Sequence, residues 1–163
     1  MEQLCESASR FGWRIYFLGA KPGVAHRAAD RLISRYPRLQ IDTHHGHFDK
    51  MADSRENRLV VDQINEFRPQ ILILGFGMPL QEKWILENRD KLNVNIAFSV
   101  GALFDYLSGD LPRAPRWMTD NGLEWLSRLV IEPRRLWKRY LFGNPLFFWR
   151  LFRHHHLGRA LPQ

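Results

Sequence analysis

Several common devices are missing from this sequence of 163 residues. It carries one cysteine, Cys5. No internal disulfide and no cysteine-based zinc site can be built from it, so a reducing cytoplasm is the expected compartment. The longest uncharged run near the C-terminus, Leu141 to Trp149, falls far short of the roughly 20 residues that a bilayer span needs. The chain can lie on a membrane but is not expected to cross one. Met1 to Gly12 is polar and mixed in charge, without the basic start and apolar stretch of a signal peptide, so secretion is not expected. The Gly-Lys-Ser/Thr ending of a P-loop is absent, and so is the GxGxxG dinucleotide fingerprint. Acidic residues are scarce only in the last third: residues 112–163 hold 3 Asp/Glu against 10 Lys/Arg.

What is present is an ordinary globular composition, with 45% hydrophobic and 25% charged residues. That excludes a disordered or low-complexity chain and allows about one domain with a real core. The net charge of +7 is uneven, because residues 1–111 carry 14 basic and 14 acidic side chains. The excess therefore sits wholly after Leu111, together with four of the six tryptophans (Trp117, Trp125, Trp137, Trp149). Basic and aromatic residues together suit an anionic surface, either nucleic acid or lipid headgroups.

Hydrophobic patterning predicts strands separated by helices. Arg14 to Leu18 is a β-branched and aromatic run stopping at Gly19. Val24, Ala25, Ala28, Ala29, Leu32 and Ile33 then share one helical face, which ends at Tyr36-Pro37. A strand over Leu39 to Thr43 follows. Ser54 is placed to cap a helix whose apolar stripe is Leu59, Val60, Ile64 and Phe67, ending before Pro69. Gln70 to Phe76 is continuously apolar, as a parallel strand buried on both faces should be, and a helix from Pro79 to Arg89 succeeds it. Asn95 to Val100 repeats that pattern up to Gly101. The expected fold is α/β, an open, Rossmann-like parallel sheet with flanking helices. A boundary near Leu111 to Pro115 divides a core, residues 1–111, from a helical, basic and aromatic appendage, residues 112–163.

In such sheets, ligands bind beyond the carboxyl ends of the strands. The Gly19, Lys21, Pro22, Gly23 turn either offers backbone N–H groups to a phosphate, with Lys21 adding charge, or is a plain tight turn. Gly75, Gly77 and Pro79 followed by Gln81 and Glu82 point more sharply to a site. Two glycines admit a ligand to the backbone, and polar side chains wait in the first helical turn. After Gly101, Asp105 can accept hydrogen bonds from ribose hydroxyls, act as a carboxylate base, or cap a helix. His44, His45 and His47 read as a polar, ligand-facing loop rather than a metal site, since only Asp42 and Asp49 accompany them. The terminal His154 to His156 carries no catalytic role. The appendage, with Arg128, Arg134, Arg135, Lys138 and Arg139 among Trp137, Phe142 and Trp149, is too apolar for a phosphate track. It favours a membrane interface over nucleic acid.

The segments LGAKPGVAHRAADRL, THHGHF, GFGMPLQEKWI, SVGALFDYLSGDLPRAPRWM and GLEWLSRLVIEPRRLWKRYLFGNP, in this order and spacing, resemble the WecG/TagA/CpsF glycosyltransferases of bacterial cell-surface polysaccharide synthesis (glycosyltransferase family 26). The resemblance runs from about Arg14 to Pro145. It implies an inverting, metal-independent enzyme without a cofactor. Such an enzyme moves a sugar, N-acetylmannosamine or a hexose, from a UDP-sugar to a polyprenyl-diphosphate-linked saccharide at the cytoplasmic face of the inner membrane. The tail leans toward exopolysaccharide-type members, and homo-oligomerisation is left open. By the same resemblance, the Gly75–Glu82 segment and the Gly101–Asp105 turn form part of the nucleotide-sugar pocket. Gln81 and Asp105 touch the ligand, and the Gly19–Gly23 turn lies close by. Arg128, Arg135 and Lys138 match the positions that hold diphosphate charge. Lys138 stands where arginine is common, so its point charge replaces a bidentate fork, and Arg139 beside it can substitute. The family's opening segment, with the aspartate proposed as general base, has no counterpart in Met1 to Trp13. The expectation is therefore a truncated transferase whose catalytic residue is unknown, with a non-catalytic nucleotide- or partner-binding module at the membrane surface as the alternative.

Overall fold

The computed structural model describes residues 1–112, 115–131, 133 and 149. The chain divides into two compact units, Met1–Pro112 and Arg113–Gln163. In the first unit the elements run α1 (Glu2–Phe11), β1 (Arg14–Gly19), α2 (Val24–Arg35), β2 (Gln40–His44), α3 (Arg55–Phe67), β3 (Ile71–Gly75), α4 (Leu80–Asn88), β4 (Ile96–Ser99) and α5 (Leu103–Ser108). The second unit contributes α6 (Arg116–Asp120) and α7 (Glu124–Ile131). Among the described residues no helix is long and apolar enough to cross a membrane.

All strand pairs are parallel, and the sheet order is β2-β1-β3-β4. The α/β, Rossmann-like expectation holds. Side chains alternate across the central strands, so each contributes to two cores. Ile15, Phe17, Ile71 and Ile73 pack with α1, α2 and Phe104 on one face. Tyr16, Leu18, Leu72 and Leu74 pack with Val60, Val61, Ile64 and Trp84 on the other. Burial on both faces explains why β1 and β3 read as unbroken apolar runs.

Local signals explain most boundaries. The Ser54 hydroxyl accepts the Asn57 N–H at 3.0 Å and caps α3. That helix closes on Arg68, held at φ 53 just before Pro69. The α2 helix opens on Gly23 at φ 80 and stops at Tyr36, before Pro37.

Three details differ from the sequence reading. The N-terminal stretch read only as polar is the helix α1, whose Cys5 and Ala8 are fully buried. Two small side chains, three residues apart, are its only fully buried ones, and they leave little hydrophobic signal. Leu59, placed on the α3 stripe, points to solvent at 51% exposure, while Val61 takes the inward position. Finally, β4 is the outer strand rather than a doubly covered one: Ile96 and Phe98 stay 49% and 44% exposed.

Candidate functional site

The strand order places a switch point at the centre of the sheet. From the neighbouring strands β1 and β3 the chain proceeds outward in opposite directions, to β2 and to β4, so the loops after β1 and β3 diverge. A crevice at the carboxyl ends of such strands is where open α/β sheets bind ligands. Its floor here is backbone. Gly19 pairs in register with Gly75, the Ala20 N–H donates to the Gly75 carbonyl at 2.9 Å, and the Gly46 N–H donates to the Ala20 carbonyl at 2.8 Å. A Cβ on Gly19 would sit 2.6 Å from Gly75 backbone atoms, and one on Gly75 would sit 2.8 Å from the Phe104 ring. The chain's own packing accounts for both glycines. Gly77 and Gly101 are different, because each is held at positive φ, 92° and 56°, with nothing among the described residues within 4 Å of a would-be Cβ. These two leave free space over the backbone. Lys21, Pro22 and Gly23 are exposed at the same end of β1.

After β3, Pro79 is the N-cap of α4 and follows a cis peptide bond from Met78. Gln81 was expected to touch the ligand. It is 2% exposed, and its amide also bonds within the chain: Oε1 accepts the Gly77 N–H at 3.1 Å and Nε2 donates to Glu82 Oε1 at 2.9 Å. Its visible role is to hold the Gly77 loop. The second Glu82 oxygen, Oε2, is buried without a hydrogen-bond partner among the described residues. Asp105 lies in the first turn of α5, directly after the buried Phe104, which packs 4.7 Å from Phe17 across the end of β1. Gly19, Gly75, Gly77, Gly101, Gln81, Glu82 and Asp105 thus share the carboxyl edge of one sheet. Arg128 lies in α7 of the second unit, while Arg135 and Lys138 lie outside the described residues.

The histidine loop joins this edge through Gly46. The His44 Nδ1 lies 2.7 Å from the His45 carbonyl. A carbonyl only accepts, so Nδ1 carries the proton and Nε2 is left as an acceptor. Burial lowers the His44 pKa below the ordinary histidine value. The loop is pinned by a residue that the sequence did not single out. The Lys50 Nζ donates to the carbonyls of Gly46 and Phe48 and lies 4.3 Å from the Phe48 ring centroid and 5.1 Å from that of Phe76. Burial lowers its pKa, opposed by the nearby charges of Asp49 and Glu56. Only the position of Lys50 two residues after the THHGHF segment hinted at this. Beside it, a cleft of about 480 Å³ opens between Phe48, Lys50, Met51, Leu80, Lys83 and Trp84. Among the described residues no group of three or more His, Cys, Asp or Glu side chains is placed to hold a metal.

Residues 1–160 match the glycosyl transferase WecG/TagA/CpsF family. The chain belongs to that family. WecG/TagA/CpsF relatives include the N-acetylglucosaminyldiphosphoundecaprenol N-acetyl-beta-D-mannosaminyltransferase of Bacillus subtilis (strain 168), 34% identical over 86% of this chain and 52% of that protein. The protein of the same name from Staphylococcus aureus (strain NCTC 8325 / PS 47) is 29% identical over 85% of this chain and 52% of its own length. The chain thus spans about half the length of the curated WecG/TagA/CpsF relatives that it matches.

Proposed function

We propose that this polypeptide serves glycosyl transfer, moving a sugar from a UDP-sugar to a saccharide linked to polyprenyl diphosphate, in bacterial surface or exopolysaccharide synthesis. The observation that carries the reading is the family match over residues 1–160, in a chain whose two central strands end in glycines at the switch point of the sheet. The relatives' names supply the acceptor class, a diphosphoundecaprenol-linked N-acetylglucosamine, and N-acetylmannosamine as the sugar moved.

In this reading the UDP moiety lies over Gly77 and Gly101, near Lys21 and Asp105. The acceptor hydroxyl attacks the anomeric carbon with inversion, and UDP departs. The reaction needs a base for the acceptor's proton and positive charge for the departing diphosphate, without a metal. Arg128, Arg135 and Lys138 are proposed for the second task, and no residue of this chain is assigned the first. The basic, aromatic residues 112–163 hold the protein against the anionic cytoplasmic face of the inner membrane as a peripheral protein.

A second reading is a non-catalytic nucleotide- or partner-binding module at the membrane surface, which the positive-φ glycines at the strand ends suit equally. One experiment separates them. The protein is incubated with UDP-N-acetylmannosamine and a short-chain polyprenyl-diphosphate N-acetylglucosamine, and UDP release is followed. Release that depends on the acceptor supports transfer. UDP binding by calorimetry without release leaves the module, and no binding of either ligand overturns both.

A further inference from the structure

The two edge strands of the sheet, β2 and β4, are finished differently. On β2 the exposed Asp42 carboxylate accepts the Thr43 N–H at 2.8 Å, so a backbone donor is already taken and a charge stands on the strand. Charge and proline are the usual means by which an edge is kept from pairing with another chain. Strand β4 has neither, since no charged residue and no proline lies between Lys91 and Asp105. Its backbone is also turned to suit pairing. The Ile96 and Val100 N–H groups donate inward, to the Gln70 and Leu74 carbonyls at 3.1 and 2.8 Å. Because a strand alternates with period two, the peptide groups of Ala97 and Ser99 point away from β3, where no further strand lies among the described residues. Ile96 and Phe98 share one face, in register with Ile71 and Ile73 of β3, and both stay half-exposed.

We propose that β4 is a self-association edge, on which a second copy of this chain pairs its own β4 antiparallel about a twofold axis at Ala97. That register complements itself, as a twofold contact requires. It sets Ile96 of each copy against Phe98 of the other, a β-branched and aromatic pair at the close, non-hydrogen-bonded positions. It sets Ala97 against itself and Asn95 against Ser99 at the hydrogen-bonded positions, so the outward N–H and C=O groups are the ones that meet. The neutrality of the segment favours a second copy as the occupant, because two identical strands bring no like charges together. The same pairing through the middle of β2 would set Asp42 against its own copy. One short strand offers well under the roughly 800 Å² per partner of a stable complex, so the dimer is weak and reversible.

Sedimentation velocity on the full chain, with amide exchange followed by NMR, tests the pairing. As concentration rises through the micromolar range, the mass should move toward twice that of the chain. The Ala97 and Ser99 amides should slow in exchange more than the inward Phe98 amide. Ile96→Lys together with Phe98→Lys opposes like charges across the axis and should weaken the dimer by about tenfold or more. Mixing that variant with one carrying Ile96→Glu and Phe98→Glu should restore it. A species of one-chain mass at every concentration overturns the proposal. A dimer that leaves the Ala97 and Ser99 amides unaltered, or that survives the lysine pair, overturns it too, since the contact then lies elsewhere, residues 112–163 included. Thermal unfolding shows whether the lysine variant folds, and where it does not, the wild-type exchange pattern decides.

Discussion

A methyl group at Gly19 would lie 2.6 Å from the Gly75 carbonyl carbon, and its backbone φ of 149° is one that side chains rarely adopt. Neither strand can yield, because both are central in the sheet. Gly19→Ala is therefore expected to cost roughly 3 kcal/mol in urea unfolding, more than a change at an open position such as Gly12, since overpacking and backbone strain act together. His44 gives a second prediction at this scale. Its folded pKa is depressed by burial, so the unfolded chain binds the proton more readily. Stability is full above the ordinary histidine value of about 6.5 and is lost as pH falls from there through the lower folded value. Unfolding midpoints measured from pH 7.5 to 5 should fall in the wild type, and His44→Gln should flatten that part of the slope.

Between elements, the main polar tie is a buried network that joins α3 to α4. The Trp84 Nε1–H donates to Asn57 Oδ1 at 2.6 Å, the Asn57 Nδ2 donates to Asn88 Oδ1 at 2.8 Å, and the Asn88 Nδ2 donates to the Trp84 carbonyl at 2.9 Å. Asn57→Ala leaves an indole N–H and an amide oxygen unpaired in the core, which should cost about 3 kcal/mol. Because the two asparagines share one network, the Asn57→Ala and Asn88→Ala pair should fall short of the sum of the single changes by about 1 kcal/mol in a double-mutant cycle. Nothing in the sequence announced this tie. Asn57 and Asn88 are polar residues on helices, and only the fold shows that they face each other. The strands were legible because burial on both faces demands unbroken apolar runs such as Ile71–Leu74. Helix α1 was not, because Cys5 and Ala8 bury too little surface to stand out. The site was legible as a set of loops, since glycines end β1 and β3. It was not legible as contacts: nothing in the sequence showed that the Gln81 amide bonds Gly77 and Glu82.

Across the whole molecule, charge separates a formally neutral stretch, residues 1–111, from a basic one, residues 112–163, that carries the full +7. If that region meets a membrane, the protein should co-sediment with vesicles of anionic lipid and be released by salt. Replacing Arg134, Arg150, Arg153 and Arg159 with glutamine should abolish sedimentation without altering UDP affinity in calorimetry. Loss of both would show that the two properties share these residues.

The sheet order also has a consequence in time. Strand β1 is followed within a few dozen residues by its neighbour β2, yet its other edge belongs to β3. The Arg14 N–H bonds the Gln70 side chain at 2.7 Å, and the Gln70 N–H returns to the Arg14 carbonyl at 3.0 Å, across a separation of 56 residues. Until β3 is made, a central strand of the sheet has one edge bare. Closing so long a loop is entropically costly and slow, so the β1–β3 pairing is expected to form the folding barrier. In stopped-flow experiments, Ile15→Val and Ile73→Val should slow refolding. Phe98→Ala on the half-exposed outer strand should instead speed unfolding. The growing chain is most vulnerable to aggregation in the interval before Ile71 emerges, while β1 lacks its β3 partner.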